Sequence, residues 1–194
     1  LEFRRVLFRS RNYLEHERDW LRKLLLTEPR GQVARNANIV LPSNHPDADA
    51  GYVIMESIEY PVMSGSNTIC SVTAMLETGR VPMTEPVTVV KLDTAVGVVT
   101  ANAHCKDGKV TAVEIENVPA FVAHMDYPLE VHDYGTVPTD IIFGGQFFAQ
   151  ADLAHFGLSV DPARGKELTR VGALVKAACD EQITVAHQIG RAHV

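Results

Sequence analysis

PVMSGSNTICSVTAMLETG, residues 61–79, carries more structural information than any other segment of this 194-residue chain. A short polar turn, Ser64-Gly65-Ser66-Asn67-Thr68, runs directly into Ile69, Val72, Thr73 and Leu76 at helical spacing, and Gly79 stands where a helix C-terminus favours a left-handed residue. A loop feeding a buried helix presents the unpaired N–H groups of the first turn at the positive end of the helix dipole, which suits a carboxylate or a phosphate. Gly65 leaves room for close approach. The hydroxyls of Ser64, Ser66 and Thr68 can meet such a ligand or serve only as helix caps.

On the N-terminal side, residues 33–41 and 51–60 read as strands, the second alternating Tyr52, Ile54, Glu56, Ile58 and Tyr60 against Val53, Met55, Ser57 and Glu59. Before them, Leu14, Trp20, Leu21, Leu24 and Leu25 predict an amphipathic helix over 13–26, stopped by Glu28-Pro29-Arg30-Gly31. On the C-terminal side, β-branched runs cover 87–92, 97–104 and 110–118, the last two joined across Asp107-Gly108, a strong hairpin signal. The stretch from there to residue 138 reads as a connection rich in Pro and Gly. A new unit starts at Thr139 with a strand, then Gly144-Gly145 and Phe147-Phe148-Ala149. Residues 152–178 are helical around a break at Pro162, with Leu168, Val171, Leu174 and Val175 on one face. Evenly spaced strands around one long helix predict an α+β fold in which a curved sheet or barrel wraps that helix.

A formal charge of −6 and a pI near 5.7 exclude nucleic acid as a partner class and favour a small ligand. Three cysteines at wide spacing, Cys70, Cys105 and Cys179, predict no disulfide framework and a reducing, cytoplasmic setting; Cys179 reads as a packed thiol. No apolar run reaches membrane-span length. No metal site is expected: His45 and Asp47 lie in a polar turn, His104 and Cys105 point to opposite faces of one strand, and His124, His132 and Asp133 share no evident geometry. Arg30 serves as either a ligand-facing cation or a surface turn residue.

These landmarks resemble the proline racemase family, which includes hydroxyproline epimerases and trans-3-hydroxy-L-proline dehydratases. Its first active-site motif is Met-Cys-Gly-His, a small residue and Thr or Ser, then an apolar helix closing in Glu-Thr-Gly. Met63, Gly65, Thr68 and Glu77-Thr78-Gly79 match, while Ser64 stands in the cysteine position and Ser66 in that of the histidine. Glu28-Pro29-Arg30-Gly31, Asp47-Ala48-Asp49, Asn117-Val118-Pro119 and the stretch from Phe143 to Ala149 follow in the family's order, so the resemblance covers residues 11–188.

The resemblance implies a diaminopimelate epimerase-like architecture: a first domain over 11–138 and the start of a truncated second domain of similar type over 139–188. Residues 1–10 and 189–194 then read as linker remnants. It also implies cofactor-independent chemistry on proline or a hydroxyproline, gripped between two helix N-termini, with Ser64 catalytic and Gly65, Ser66, Asn67 and Thr68 binding substrate. A homodimer is compatible with it. The second motif, an Asp followed by Cys-Gly-Thr, lies outside this sequence, so the chain alone is expected to show no turnover. A hydroxyl is a far weaker acid than a thiol. Ser64 therefore favours trans-3-hydroxy-L-proline dehydration with 2-epimerase side activity, over a two-thiol racemase or epimerase, a non-catalytic imino-acid binder, or diaminopimelate epimerase-like activity.

Overall fold

A computed structural model describes residues 2–187 and 190–192. Contacts divide the chain into two compact units, Leu1–Val118 and Pro119–Val194.

In the first unit β1 (Ala37–Leu41), β2 (Ala50–Met55), β3 (Val87–Thr94), β4 (Gly97–Lys106) and β5 (Lys109–Glu116) form one sheet in sequence order. All neighbours are antiparallel except β2 and β3, which run parallel because the helix α3 (Gly65–Glu77) crosses over between them. The hairpin expected at Asp107-Gly108 is present: both residues have positive φ (53° and 70°), so the turn follows the twist of its strands. The sheet is open, with β1 and β5 as its edges, and does not close into a barrel.

Strand β2 is buried along its whole length because both its faces are covered. Ala50, Tyr52 and Ile54 pack with Val72, Met75 and Leu76 of α3 and with Val90, Leu92, Ala101 and Ala103 of β3 and β4. Val53 and Met55 meet Leu7 of α1 (Glu2–Glu17), Leu26 of α2 (Asp19–Leu26) and Tyr60. Each fully buried Val, Leu, Ile or Met among them contributes about 1.5–3 kcal/mol by leaving water. Helix α3 ends as its sequence predicts. Gly79 sits at φ 73°, its N–H donating to the Leu76 carbonyl (3.1 Å), and the Arg80 N–H reaches the Met75 carbonyl (2.9 Å), a Schellman closure.

Four expectations are corrected. The buried face of α3 is Asn67, Thr68, Ser71, Val72, Met75 and Leu76, whereas Ile69 is exposed. The helix expected over 13–26 breaks at Arg18, and within α2 Trp20, Leu24 and Leu25 are exposed while Arg22 is buried. The guanidinium tolerates this because Nε and Nη2 donate to the two Asp19 carboxylate oxygens (2.7 and 3.0 Å), Nη1 donates to the Glu56 and Ser57 carbonyls, and its plane lies 5.7 Å from the Tyr60 ring centre. The strand expected over 51–60 stops at Met55, where the Glu56 N–H closes onto the Glu59 carbonyl (2.8 Å) and leaves Ile58 in solvent. Residues 2–10, read as linker, lie in α1, where Leu7 joins the core. In the Glu28-Pro29-Arg30-Gly31 turn, a Cβ at Gly31 would collide with the Leu26 backbone, so close approach dictates the glycine.

The second unit holds an antiparallel sheet of β6 (Phe121–Val131), β7 (Gly135–Phe143) and β8 (Phe147–Ala151). The boundary expected at 138/139 therefore falls inside β7, and the stretch read as a connection contains an eleven-residue strand. Two irregularities, at Val122/His124 and His124/Tyr127, interrupt its alternation. Two 3₁₀ turns, Leu153–Phe156 and Pro162–Arg164, precede α4 (Gly165–Gln182), which packs on β6 and β8. Val171, Ala178 and Cys179 are its buried residues; Leu168, Leu174 and Val175 are half-buried. Cys179 is packed, as expected, and burial pushes its thiol upward in pKa. The Gln182 side chain brackets Glu130, accepting from its N–H (2.9 Å) and donating to its carbonyl (2.8 Å). A short hairpin, β9 (Val185–His187) with β10 (Gly190–Ala192), follows, so part of the 189–194 segment is strand; Ile189, His193 and Val194 lie outside the described residues. No helix among the described residues is long and apolar enough to cross a membrane.

Candidate functional site

The first turn of α3 is built on Ser64, whose extended backbone (φ −154°, ψ 123°) places it at the N-cap position. Its side chain makes no capping bond, so the hydroxyl is left for other partners. The cap work passes to backbone and threonine instead: the Ser64 carbonyl accepts from the Thr68 N–H (3.0 Å) and from Thr68 Oγ1 (2.9 Å). The amides of Gly65, Ser66 and Asn67 are then the first-turn donors without an acceptor inside the helix. Gly65 and Ser66 are exposed, and a Cβ at Gly65 would meet nothing within 4 Å, so the approach to these donors is open.

Of the five expected site residues, the structure brings three side chains together. Ser64 Oγ lies 3.3 Å from Ser66 Oγ and accepts from Asn67 Nδ2 at 2.9 Å. Thr68, expected to line a ligand, is instead fully buried, with its hydroxyl spent on the Ser64 carbonyl and on Tyr52 Oη at 2.6 Å. Asn67 is buried as well, its side-chain NH₂ directed to Ser64 Oγ and to Glu56.

Two groups beside the turn escaped sequence reasoning. Glu56, immediately after β2, accepts from Asn67 Nδ2 (3.4 Å) and from Asn36 Nδ2 (3.3 Å). Burial, and then the charge of Glu59, hold its carboxyl above the usual carboxylate range, partly offset by the Asn67 bond. The available signal was a lone carboxylate continuing the Tyr52 and Ile54 face of an otherwise apolar strand. Tyr52 is the second group: desolvation pushes its phenol up to about 12, with the Thr68 bond opposing.

Tyr52→Phe is expected to cost about 1 kcal/mol in urea unfolding, the net value of one neutral hydrogen bond. The Tyr60 phenol is also pushed up to about 12, chiefly by burial. Both groups are stabilised as neutral phenols, so their contribution is complete below the ordinary tyrosine value near 10 and is lost as pH rises towards the folded values. Wild type is expected to lose stability over that alkaline window, and Tyr52→Phe to lose less of it; equal losses in an alkaline unfolding series would contradict the assignment.

Among the described residues no three His, Cys, Asp or Glu side chains converge on a metal position. His45 and Asp47 sit 4.0 Å apart in their turn, His104 pairs with Glu114 on the exposed face of its strand, and Cys105 is buried on the opposite face.

A family model described as proline racemase matches residues 4–193. The chain is 40% identical over 167 residues to 4-hydroxyproline 2-epimerase 1 of Rhizobium rhizogenes, covering 86% of this chain and 48% of that protein. It is 39% identical over 169 residues to the 4-hydroxyproline 2-epimerase of Rhizobium etli, covering 87% and 49%. A crystal structure of a probable proline racemase from Agrobacterium radiobacter K84, with bound carbonate, superposes with a TM-score of 0.88 at 36% identity, covering 94% of this chain and 54% of that one. A hydroxyproline epimerase from Agrobacterium vitis, with bound trans-4-hydroxy-L-proline, gives 0.86 at 36% identity, covering 92% and 53%. The chain thus spans about half the length of the curated relatives it matches.

Proposed function

Because the chain belongs to the proline racemase family, we propose that the full-length protein removes and returns the Cα proton of a hydroxyproline without a cofactor, acting as a 2-epimerase. One observation in this chain carries the reading: Ser64 presents a hydroxyl not committed to capping beside the free amides of Gly65, Ser66 and Asn67. The amides take the substrate carboxylate, which is where negative charge builds as the Cα–H bond breaks. Ser64 acts on one face of Cα. A base on the other face, supplied by the part of the protein beyond this chain, takes the proton. Ser64 then gives its own to Cα, and the proton on the base returns to the serine oxygen through water.

A second reading is favoured by the hydroxyl itself. A serine alkoxide is unfavourable at neutral pH, which slows a route that must leave the proton off Ser64. In dehydration of trans-3-hydroxy-L-proline, by contrast, Ser64 never has to take a proton from carbon: the base takes the Cα proton, Ser64 hands its own to the departing hydroxyl and is re-protonated from the base through water, so water and a pyrroline product leave. Ser64 alone puts this reading first; similarity to 4-hydroxyproline 2-epimerases at about 40% identity puts epimerisation first.

The experiment is to mix the full-length protein with trans-4-hydroxy-L-proline, trans-3-hydroxy-L-proline and L-proline in deuterated buffer and follow Cα and ring signals by NMR. Cα deuteration with inverted product is expected. Loss of the 3-hydroxy compound to a pyrroline moves the second reading to first place, and inertness of all three rejects both. The 194-residue chain, holding one helix N-terminus of the gripping pair, is expected to be inactive in the same assay.

A further inference from the structure

The Asn67 carboxamide joins two groups that act on the same turn. It is buried, 4% exposed, and its Nδ2 meets Ser64 Oγ at 2.9 Å and Glu56 Oε1 at 3.4 Å. An ionised carboxylate can only accept hydrogen bonds, so Asn67 must turn its NH₂ towards Glu56, and the same NH₂ is then what Ser64 meets. This settles a direction: Ser64 Oγ is an acceptor from Asn67, and its own hydrogen is released for another partner. The neighbour on that side is Ser66 Oγ at 3.3 Å, at the exposed mouth of the turn. Asn38 Nδ2 reaches the Asn67 carbonyl at 3.5 Å, and Asn36 supplies a second donor to Glu56, so the pair is braced from β1 and the residue before it.

We infer that Asn67, oriented by Glu56, is a positioning residue that holds Ser64 as a proton donor towards the substrate, an inference that rests on the proposed role of Ser64. Both residues act through the serine and touch no substrate with their side chains. Donation by Asn67 also spreads negative charge developing on Ser64 Oγ, which makes the hydroxyl a better acid at the moment of transfer.

The arrangement has an acid limit. When Glu56 takes a proton it can donate, the carboxamide can turn its oxygen to Glu56 and Ser64, and the serine hydrogen is drawn inward, away from the substrate. The groups facing Glu56 are Glu59, whose charge favours the protonated form, the neutral amides of Asn36 and Asn67, and Arg22, which is held by Asp19 and meets Glu56 through its backbone carbonyl. Glu56→Gln keeps an oxygen for the Asn67 NH₂ at every pH.

The test uses the full-length protein with trans-4-hydroxy-L-proline, reading Cα exchange in deuterated buffer. Asn67→Ala and Glu56→Ala are each expected to lower kcat by about tenfold or more with KM within about threefold, the size of effect a misplaced catalytic group produces. The double variant should be no worse than either single one, because both act on one hydroxyl. Glu56→Gln should restore kcat at neutral pH and remove the loss of activity on the acid side. An Asn67→Ala enzyme with wild-type kcat, a change confined to KM, or single effects that multiply would overturn the inference. A second readout is independent of turnover: the Asn67 side-chain amide resonance should shift as Glu56 titrates and stay still in Glu56→Gln. An amide that ignores the titration overturns the inference in any protein, active or not, whereas failure of wild type to act on any hydroxyproline while the amide does respond overturns the proposed function alone.

Discussion

Ser64→Ala in the full-length protein is expected to lower Cα exchange by about 10²–10⁴-fold, the usual contribution of a positioned proton donor or acceptor. The carboxylate grip should persist, because it is made by backbone amides that the substitution leaves in place, so KM should change little. Stability should change little: the Ser64 side chain caps nothing, and what is lost is its bond from Asn67 and its exposed contact with Ser66 Oγ. Ser64→Cys is the informative companion. A free thiol titrates near about 8.5 and lower at a helix N-terminus, so this variant should gain epimerisation relative to dehydration. Deuterium exchange by NMR on the three proteins checks the series; an alanine variant within threefold of wild type would remove the hydroxyl from the chemistry.

Asp19→Ala is expected to cost about 3 kcal/mol in the first unit, because removing one partner leaves the buried Arg22 guanidinium without its counter-charge. Asp19 makes two bonds to Arg22, a third to Lys23 Nζ (2.9 Å) and accepts from Tyr60 Oη (3.2 Å). The Arg22 bond, with further help from Lys23 and Tyr60, holds the Asp19 carboxyl well below the usual carboxylate range, against the opposing effect of burial. A depressed folded value means the stabilisation is complete above the unfolded value near about 3.9 and drains away as pH falls below it. Wild type should therefore lose part of its urea midpoint between about pH 5 and pH 2, and Asp19→Ala, already lacking the bond, should lose less. Parallel pH profiles for the two proteins would show that the pair contributes nothing.

Where local signals agreed with one another, the sequence was readable. Helix α3 showed its turn, its period and its closing Gly79 together, and Asp107-Gly108 named the β4–β5 hairpin through backbone preference alone. The family could be recognised from the same landmarks, Met63 with Gly65, Thr68 and Glu77-Thr78-Gly79. Arg22 was not readable: periodicity treats every cation as a surface residue, and only the partnership of Asp19 with two carbonyls makes its burial tolerable. Strand β6 was hidden by its one proline, Pro128, and by its bulges. Pro128 pairs with Pro138 across the ladder, yet each read as a breaker, and the shifts at Val122/His124 and His124/Tyr127 erase the two-residue period. In the site, the exposed serines were legible from composition and Glu56 was not. The alternation of β2 carried it onto a strand face, whereas the chain turns back at Met55 and delivers its carboxylate to the start of α3.

The parallel seam between β2 and β3 has a consequence for how the protein is made. The two strands register at only two positions, Ala50 with Leu92 and Gly51 with Asp93. The β3–β4–β5 meander closes through short turns between neighbours in sequence, while β2 must wait for the whole crossover to fold back on itself, and long closures are slow. A newly synthesised chain should then possess a stable β3–β4–β5 sheet before β2 has docked along β3. The seam is in that sense the last part of the first unit that folding assembles and the first that fraying takes away.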